Sequence, residues 1–375
     1  MNILVTGASG FIGSYIVEEG LRQGHQVWAG VRKSSSKAYL QDERIRFACL
    51  DLSSKARLAE QLYALKAEMG GCGWDVVVHA AGATKCLHAQ DFYRTNYDGT
   101  VHLVEALREA GMMPSRLVYL SSLSVFGAIR EQPVRKPTQD NPWVYAPILG
   151  TDSPEPNTEY GRSKWKAEQW LAEQKDVPCT TLRPTGVYGP REKDYFLMAQ
   201  SIKQHTDFSV GFKPQEITFV YVMDVVQAVF KCIGSPQAVG RAYFLSDGQV
   251  YNSRRFSDLL QQSMGNPWVL MPPSSTVRVR RPSLLSSVVT RTDVPLGTGL
   301  PKECRAMSWV KRPSFTGIRS RGVPWSTSKI FSATLSCSCR RVEKRPETLQ
   351  GNVQFIGMQT YRNCSSLFPL YAFMA

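Results

Sequence analysis

The chain has 375 residues, 43% apolar and 20% charged, which is typical of a soluble globular protein large enough for two domains. It has no run of about eighteen apolar residues, which excludes a membrane-spanning helix, so we expect no membrane partner. The chain opens directly on a predicted strand, and we therefore predict no signal peptide. Nine cysteines without metal-ligand spacing favour reduced thiols in the cytoplasm and no metal site.

The net charge of +14 is distributed unevenly. Residues 277–375 hold 16 Lys and Arg against 4 Asp and Glu, so residues 1–276 are close to neutral. A nucleic-acid arm would combine basic side chains with stacking aromatic ones. In this stretch the aromatic residues are sparse and unpatterned, and we expect no nucleic-acid partner.

An apolar run over residues 2–6 is typical of a buried parallel strand. It leads into a Gly-x-x-Gly-x-x-Gly loop from Gly7 to Gly13, and an amphipathic helix follows from Ser14. Glycines let the backbone turn tightly and approach a ligand, and a helix N-terminus attracts an anion. The pattern predicts a diphosphate-binding loop; the alternative is an ordinary strand–helix turn with incidental glycines.

The stretch Thr6–Gly13 resembles the opening of the extended short-chain dehydrogenase/reductases, the NAD(P)-dependent epimerase/dehydratase family. The resemblance extends over about residues 1–270. It implies an α/β fold, namely a doubly wound parallel (Rossmann) sheet with a smaller substrate lobe. It also implies a bound nicotinamide dinucleotide and a small-molecule substrate.

The segment after the second predicted strand, residues 26–31, bears on the choice between NAD and NADP. NAD-binding sites usually carry an acidic residue near the end of this strand. Here the chain continues with Arg32, Lys33 and three serines. Arg and Ser can bind a 2′-phosphate that a carboxylate would repel. We therefore favour NADP over NAD, unless Arg32 and Lys33 are only solvated loop charges.

The ends of the third and fourth predicted strands add further candidates. Asp51 and Leu52 resemble the family's adenine-contacting pair, although Asp51 is equally a candidate N-cap for a predicted helix over 53–69. The small residues 80–82 would let the backbone pass beside a nicotinamide ribose. We expect His79 to be a packed residue, because a lone histidine beside an apolar strand usually is.

The candidate catalytic residues follow the fifth strand and open a later helix. Ser122 lies in a Ser-Ser-x-x-Val-Phe-Gly segment and aligns with the family's catalytic serine. Tyr160 and Lys164 are four apart and share one helical face. A lysine ammonium should lower the tyrosine pKa from about 10. Tyr160 could then exchange a proton with a substrate oxygen as hydride moves; the alternative is a surface Tyr and Lys on any helix.

The resemblance assigns the remaining roles residue by residue. The catalytic set is Ser122, Tyr160 and Lys164. The cofactor-binding set is Gly7, Ser9, Gly10, Phe11, Ile12, Gly13, Arg32, Asp51, Leu52, Ala80, Ala81, Gly82, Asn96, Tyr160, Lys164, Pro184 and Val187. The substrate set is Thr84, Ser124 and Arg191, the last of which could instead face solvent.

We predict that residues 1–183, rejoined by 217–234, form the dinucleotide-binding domain and that 184–276, including the strand at 242–245, form the substrate lobe. Residues 277–375 contain thirteen serines and no sustained periodicity, so we predict an irregular tail. The tail is interpreted as a disordered basic extension, a nucleic-acid arm, or a stretch out of register with the coding frame. We favour the third, which would leave the substrate lobe incomplete and activity in doubt.

The predicted function is NAD(P)-dependent oxidoreduction or epimerisation at a hydroxyl or carbonyl carbon of a nucleotide sugar or related small molecule. Nucleotide-sugar dehydratases carry an Asp-Glu pair where this chain has Leu123 and Ser124, which counts against dehydration. The alternatives are a simple NADP-dependent carbonyl reductase, a hydroxysteroid-type dehydrogenase, and a non-catalytic dinucleotide-binding sensor or scaffold. A homodimer is a further hypothesis.

Overall fold

Eleven strands occur in the computed structural model of the protein, which describes residues 1–127, 148–207, 216–265, 267 and 269. They are β1 Asn2–Thr6, β2 Gln26–Val31, β3 Arg46–Cys49, β4 Val76–His79, β5 Arg116–Leu120, β6 Cys179–Pro184, β7 Gly186–Tyr188, β8 Glu216–Ile217, β9 Phe219–Tyr221, β10 Ala242–Leu245 and β11 Tyr251–Asn252. Residues 128–147 and the predicted tail from residue 277 lie outside the described residues.

Seven of these strands form one parallel sheet in the order β10-β6-β5-β4-β1-β2-β3. The order reverses direction beside β1, whose neighbours are β2 and β4. In doubly wound sheets ligands bind at this switch point, outside the carboxyl ends of the strands. The predicted fold class is confirmed, and the glycine loop after β1 lies at the switch point.

Eight α-helices connect the strands within the described residues. They are α1 Phe11–Arg22, α2 Lys55–Glu68, α3 Ala89–Tyr93, α4 Gly99–Glu109, α5 Glu159–Glu173, α6 Asp194–Lys203, α7 Val222–Ile233 and α8 Ser253–Ser263. A π-helical turn, Arg94–Asp98, joins α3 to α4, and a 3₁₀ turn, Leu123–Phe126, follows β5.

The main sheet is covered by helices on both faces. Ile3 and Val5 of β1 belong to one apolar cluster, with α1 and α7, whereas Leu4 belongs to a second cluster, with α2, α4 and α5. This alternation is the period of two that a strand imposes on its side chains. Because both faces are buried, the central strands are continuous apolar runs.

Strand β10 corrects one sequence-based assignment. We predicted that residues 242–245 belong to the smaller lobe, but they pair in parallel with β6 at the edge of the main sheet. Tyr243 and Leu245 enter the apolar cluster with α1 and α7, while Phe244 packs against Phe126 on the other side. The strand is apolar on both sides, and the main sheet buries both sides under helices, which a small lobe would not do.

The remaining strands form two small pairs, β7 with β9 in parallel and β8 with β11 in antiparallel. Around them lies a separate apolar cluster that includes Ile202, Phe219 and Phe256. The assignment of this part to a substrate lobe stays a prediction.

Candidate active site

The glycine loop joins the end of β1 to the first turn of α1 and contains six predicted cofactor residues. Gly7 has φ of +68°, and a Cβ added there would lie 2.7 Å from the Cα of Ala81. The Gly10 amide donates to the Gly7 carbonyl at 2.9 Å, and a side chain on Gly13 would collide with that carbonyl. The first turn of α1 has no acidic residue. The loop therefore forms a close backbone cradle beside a helix N-terminus, which suits a diphosphate.

Asp51 and Arg32 lie just beyond the carboxyl ends of β3 and β2. Hydrogen bonds from the Ser53 side chain and amide lower the pKa of Asp51, so the carboxylate is ionised at neutral pH. Asp51 does not cap α2, as one reading of the sequence allowed, because Ser54 takes that position. The Arg32 amide donates to Ser35 Oγ at 3.1 Å, so this segment turns sharply after β2.

The small-residue loop after β4 is fixed by Asn96. The Asn96 side chain accepts from the Ala83 amide at 2.8 Å, and its Nδ2 donates to the Ala83 carbonyl at 3.0 Å and to Ser163 Oγ at 2.9 Å. A Cβ on Gly82 would lie 3.0 Å from both Asn96 Oδ1 and Lys164 Nζ. The loop thus passes directly beside two predicted cofactor residues, and Thr84 follows it in an exposed position.

Ser122 and Tyr160 lie close enough for the Ser122 hydroxyl to act on the pKa of the Tyr160 phenol. Ser122 Oγ also accepts from the Ser124 amide at 3.2 Å and lies 3.0 Å from Ser124 Oγ. Thr158 caps α5 by accepting from the Gly161 amide, which places Tyr160 in the first turn of that helix. Two serine hydroxyls and one phenol therefore converge at the carboxyl end of β5.

Lys164 is buried, and its Nζ donates to the Leu120 carbonyl at 2.9 Å. Burial lowers its pKa to about 8, while the nearby Glu168 acts to raise it. The expected lowering of the Tyr160 pKa is wrong for the protein alone: burial raises this pKa, and the nearby Ser122 hydroxyl only opposes the rise. The cost of burying a phenolate is the larger effect here.

His79 is a packed residue rather than a base. Its two ring nitrogens lie 2.7 Å from Thr6 Oγ1 and 2.9 Å from Thr100 Oγ1, and its ring stacks on Tyr119. Burial and the Lys164 charge lower its pKa to about 3. The imidazole is neutral and joins β1, β4 and α4.

The predicted residues after β6 lie in different surroundings. Pro184 ends β6, where it is buried, and Val187 lies in β7 against the apolar cluster with α1 and α7. Arg191 has φ of +74° and is directed at α1: its guanidinium donates to Ser14 Oγ at 2.9 Å and to Glu18 at 2.6 Å. Arg191 is therefore engaged by protein groups, and its assignment to substrate stays a prediction.

Two charged pairs near these residues were missed from the sequence. Lys85, next to Thr84, forms an ion pair with Asp194 at the start of α6. Glu168 on α5 forms a buried ion pair with Arg183 on β6. The available signal for Glu168 was its spacing, four residues after Lys164 on the same helical face.

Comparison with known proteins gives one family match. The model of the NAD dependent epimerase/dehydratase family matches residues 3–252. The UDP-glucose 4-epimerase of Vibrio cholerae is 25% identical over 285 residues, which cover 72% of this chain and 79% of that protein. The decarboxylating sterol-4-alpha-carboxylate 3-dehydrogenase of Homo sapiens is 28% identical over 230 residues, 59% of this chain and 54% of that protein. The chain thus spans only about half the length of the human relative.

Solved structures share the fold. The dTDP-glucose 4,6-dehydratase of Bacillus anthracis, solved in complex with NAD, superimposes with a TM-score of 0.58 at 21% identity, covering 72% of this chain and 85% of that one. Across the described ranges, no helix is both long and apolar enough to cross a membrane.

Proposed function

Because the chain belongs to the NAD dependent epimerase/dehydratase family, we propose that it transfers a hydride between a nicotinamide dinucleotide and a substrate carbon that bears a hydroxyl or carbonyl group. The family match confirms the resemblance indicated by the motifs. The observation that carries the proposal is the convergence of Ser122, Tyr160 and buried Lys164 at the carboxyl end of β5.

In this proposal Tyr160 exchanges a proton with the substrate oxygen, because its hydroxyl lies near that of Ser122 in a partly buried position. Ser122 orients the same oxygen, and Ser124 offers a second hydroxyl. Lys164 supplies a positive charge beside the loop that contains Gly82. The burial that raises the Tyr160 pKa makes a nearby positive charge necessary for proton release at neutral pH.

The glycine loop fits the diphosphate of a dinucleotide, since a Cβ at Gly7 or Gly13 would fill the cradle. Gly7, Ser9, Gly10, Phe11, Ile12 and Gly13 would hold that diphosphate, with Asp51 and Leu52 toward the adenine and Lys164 toward the nicotinamide ribose. When bound, the nicotinamide accepts or donates the hydride. The family is NAD-dependent; we propose NADP because Arg32 and Ser35 follow β2 where a carboxylate would select NAD.

The proposed substrate is a nucleotide sugar, a choice supported by the match to the Vibrio cholerae epimerase over 79% of that protein. A hydroxysteroid-type dehydrogenase is the second candidate, supported by the human sterol relative. Leu123 and Ser124 in place of an acidic pair count against dehydration. A sensor or scaffold would not need Ser122, Tyr160 and Lys164 together at one site.

We also propose a cytoplasmic location and a homodimer. The location is supported by the cysteines of the described ranges, Cys49, Cys72, Cys86, Cys179 and Cys232, which are all free thiols. The homodimer rests on the family alone, and light scattering on the purified chain would test it.

The first experiment is a fluorescence titration of the full-length chain with NADPH and NADH. We expect saturable binding of both, tighter for NADPH. Lys164→Met should weaken both, whereas Lys166→Met, a lysine whose ammonium lies over Tyr97 on the surface, should not. Tighter binding of NADH would overturn the NADP assignment, and no binding of either would overturn the function.

A second experiment separates the epimerase from the dehydrogenase. Conversion of UDP-glucose to its 4-epimer is followed by NMR with catalytic amounts of NAD or NADP. An epimerase would regenerate the cofactor, whereas a dehydrogenase would consume it in stoichiometric amounts.

A further inference from the structure

A buried ion pair joins the helix of the catalytic residues to the strand that ends at Pro184. Arg183 Nε lies 3.2 and 3.0 Å from the two oxygens of Glu168, and Nη2 lies 2.5 Å from Oε2. The two side chains are only 9% and 5% exposed. Arginine holds a carboxylate through two parallel hydrogen bonds, so the pair fixes orientation as well as distance.

The same guanidinium contacts two further elements. Its central carbon lies 5.1 Å from the ring centroid of Phe126 and 5.7 Å from that of Phe244. Phe126 ends the 3₁₀ turn that begins after Ser122, and Phe244 lies in β10. One buried side chain therefore contacts the turn after Ser122, the helix of Tyr160 and Lys164, and the edge strand.

Glu168 is one helical turn beyond Lys164, which is one turn beyond Tyr160. Among the residues that the structure describes, the other titratable groups around Lys164 and Glu168 are Tyr119, His79, Tyr160 and Cys179. All four are neutral at pH 7: burial lowers the pKa of His79 to about 3, raises that of Cys179 to about 12, and raises those of both tyrosines. Within this group Glu168 supplies the negative charge that acts on Lys164.

We propose that Glu168 and Arg183 are a positioning pair, which holds the Ser122 turn against the Tyr160 helix and keeps the Lys164 ammonium charged. The inference rests on the proposed function. A buried ion pair is seldom more stabilising than apolar residues of the same shape. Its value here lies in the rigid geometry and in the charge that it places beside Lys164.

The test compares Glu168→Gln with Asp207→Asn in the full-length chain. Asp207 is a matched control because it is also a buried carboxylate, which accepts from Arg254, Ser257 and Gln261 near α8. For each protein, the thermal midpoint and the dissociation constant for NADPH are measured from pH 6 to 9. Both variants should melt earlier than the wild type.

Only E168Q should change how the dissociation constant for NADPH depends on pH. Without the carboxylate, Lys164 loses its proton at lower pH, so the alkaline weakening of NADPH binding should move down by about one pH unit. An E168Q profile that superimposes on those of the wild type and D207N overturns the proposal.

Glu168→Asp covers the case in which E168Q does not fold. This variant retains the negative charge, so NADPH binding should weaken at the same alkaline pH as in the wild type. Because the shorter side chain reaches Arg183 less well, the affinity for NADPH should be several-fold weaker. If both Glu168 variants fail to fold while D207N folds, the pair is only structural and the proposal is overturned. Failure of the wild type itself to bind NADPH or NADH is a different result, which overturns the proposed function and this inference with it.

Discussion

The Asn96 side-chain amide donates to Ser163 Oγ at 2.9 Å, and this contact ties the loop after β4 to the helix that carries Tyr160 and Lys164. Asn96 lies in the π-helical turn between α3 and α4. Such turns often occur at functional sites. The Asn96 side chain also makes two hydrogen bonds to Ala83.

Asn96→Ala should therefore loosen the loop and the helix together. Three hydrogen bonds are lost in a site only 1% exposed, so we expect a destabilisation of about 2 kcal/mol or more and a weaker affinity for NADPH. Urea unfolding and the fluorescence titration measure the two effects. Asn252→Ala, which removes the N-cap of α8, should lower stability and leave the affinity unchanged. Equal affinity in N96A and the wild type would contradict the role of Asn96 in holding the loop after β4 against α5.

Tyr160→Phe should stop the reaction without emptying the cofactor site. Removing a general acid–base group typically costs about 10²- to 10⁴-fold in rate, and the aromatic ring retains its packing near Phe92. Single-turnover hydride transfer, followed by NADPH absorbance, should fall by that factor, whereas the dissociation constant for NADPH should change less than about threefold. Tyr93→Phe, which removes a hydroxyl bonded to Glu159, is the control. A Y160F rate close to that of the wild type would remove Tyr160 from the mechanism.

Because His79 is buried in its neutral form, we expect the free energy of unfolding to depend on pH. The His79 pKa is about 3 in the folded protein and about 6.5 in the unfolded chain, so below pH 6.5 the unfolded chain binds the extra proton. The stabilisation is fully present above pH 6.5 and is lost toward pH 3, at about 1.4 kcal/mol per pH unit. We expect this slope in urea unfolding between pH 6.5 and 5.

His79→Gln should remove most of the slope over that range. The carboxylates whose pKa values are lowered, such as Asp42 at about 2, act only at lower pH. His25→Gln is the comparison variant, since burial lowers the pKa of His25 also. This variant should remove only the smaller part of the slope that belongs to His25. A slope unchanged by H79Q would show that His79 is not neutral in the folded protein.

The sequence predicted the site better where local chemistry decides the structure than where tertiary contacts do. The glycine loop and the Tyr160–Lys164 helix follow from residue spacing, because their geometry is fixed within one turn. The pairing of β10 with β6 brings together Ala242 and Thr181, which are 61 positions apart. The ion pair joins Arg183 and Glu168, which are 15 positions apart. No local sequence pattern encodes either contact. The direction of the Tyr160 pKa was wrong for a related reason, since burial is a property of the whole fold.

Gly7→Ala tests the cradle itself. Both Gly7 and Gly24 have positive φ, +68° and +78°, but a Cβ on Gly24 meets nothing within 4 Å, whereas one on Gly7 would lie 2.7 Å from Ala81 Cα. Gly24→Ala should therefore show the cost of the backbone conformation alone, about 1 kcal/mol. Gly7→Ala should add the overlap with the loop after β4, for a total of about 2–4 kcal/mol, and should abolish NADPH binding. Urea unfolding and the titration on both variants decide the matter: if G7A resembles G24A in stability and still binds NADPH, the close approach of the loop to Gly7 is not required for the site.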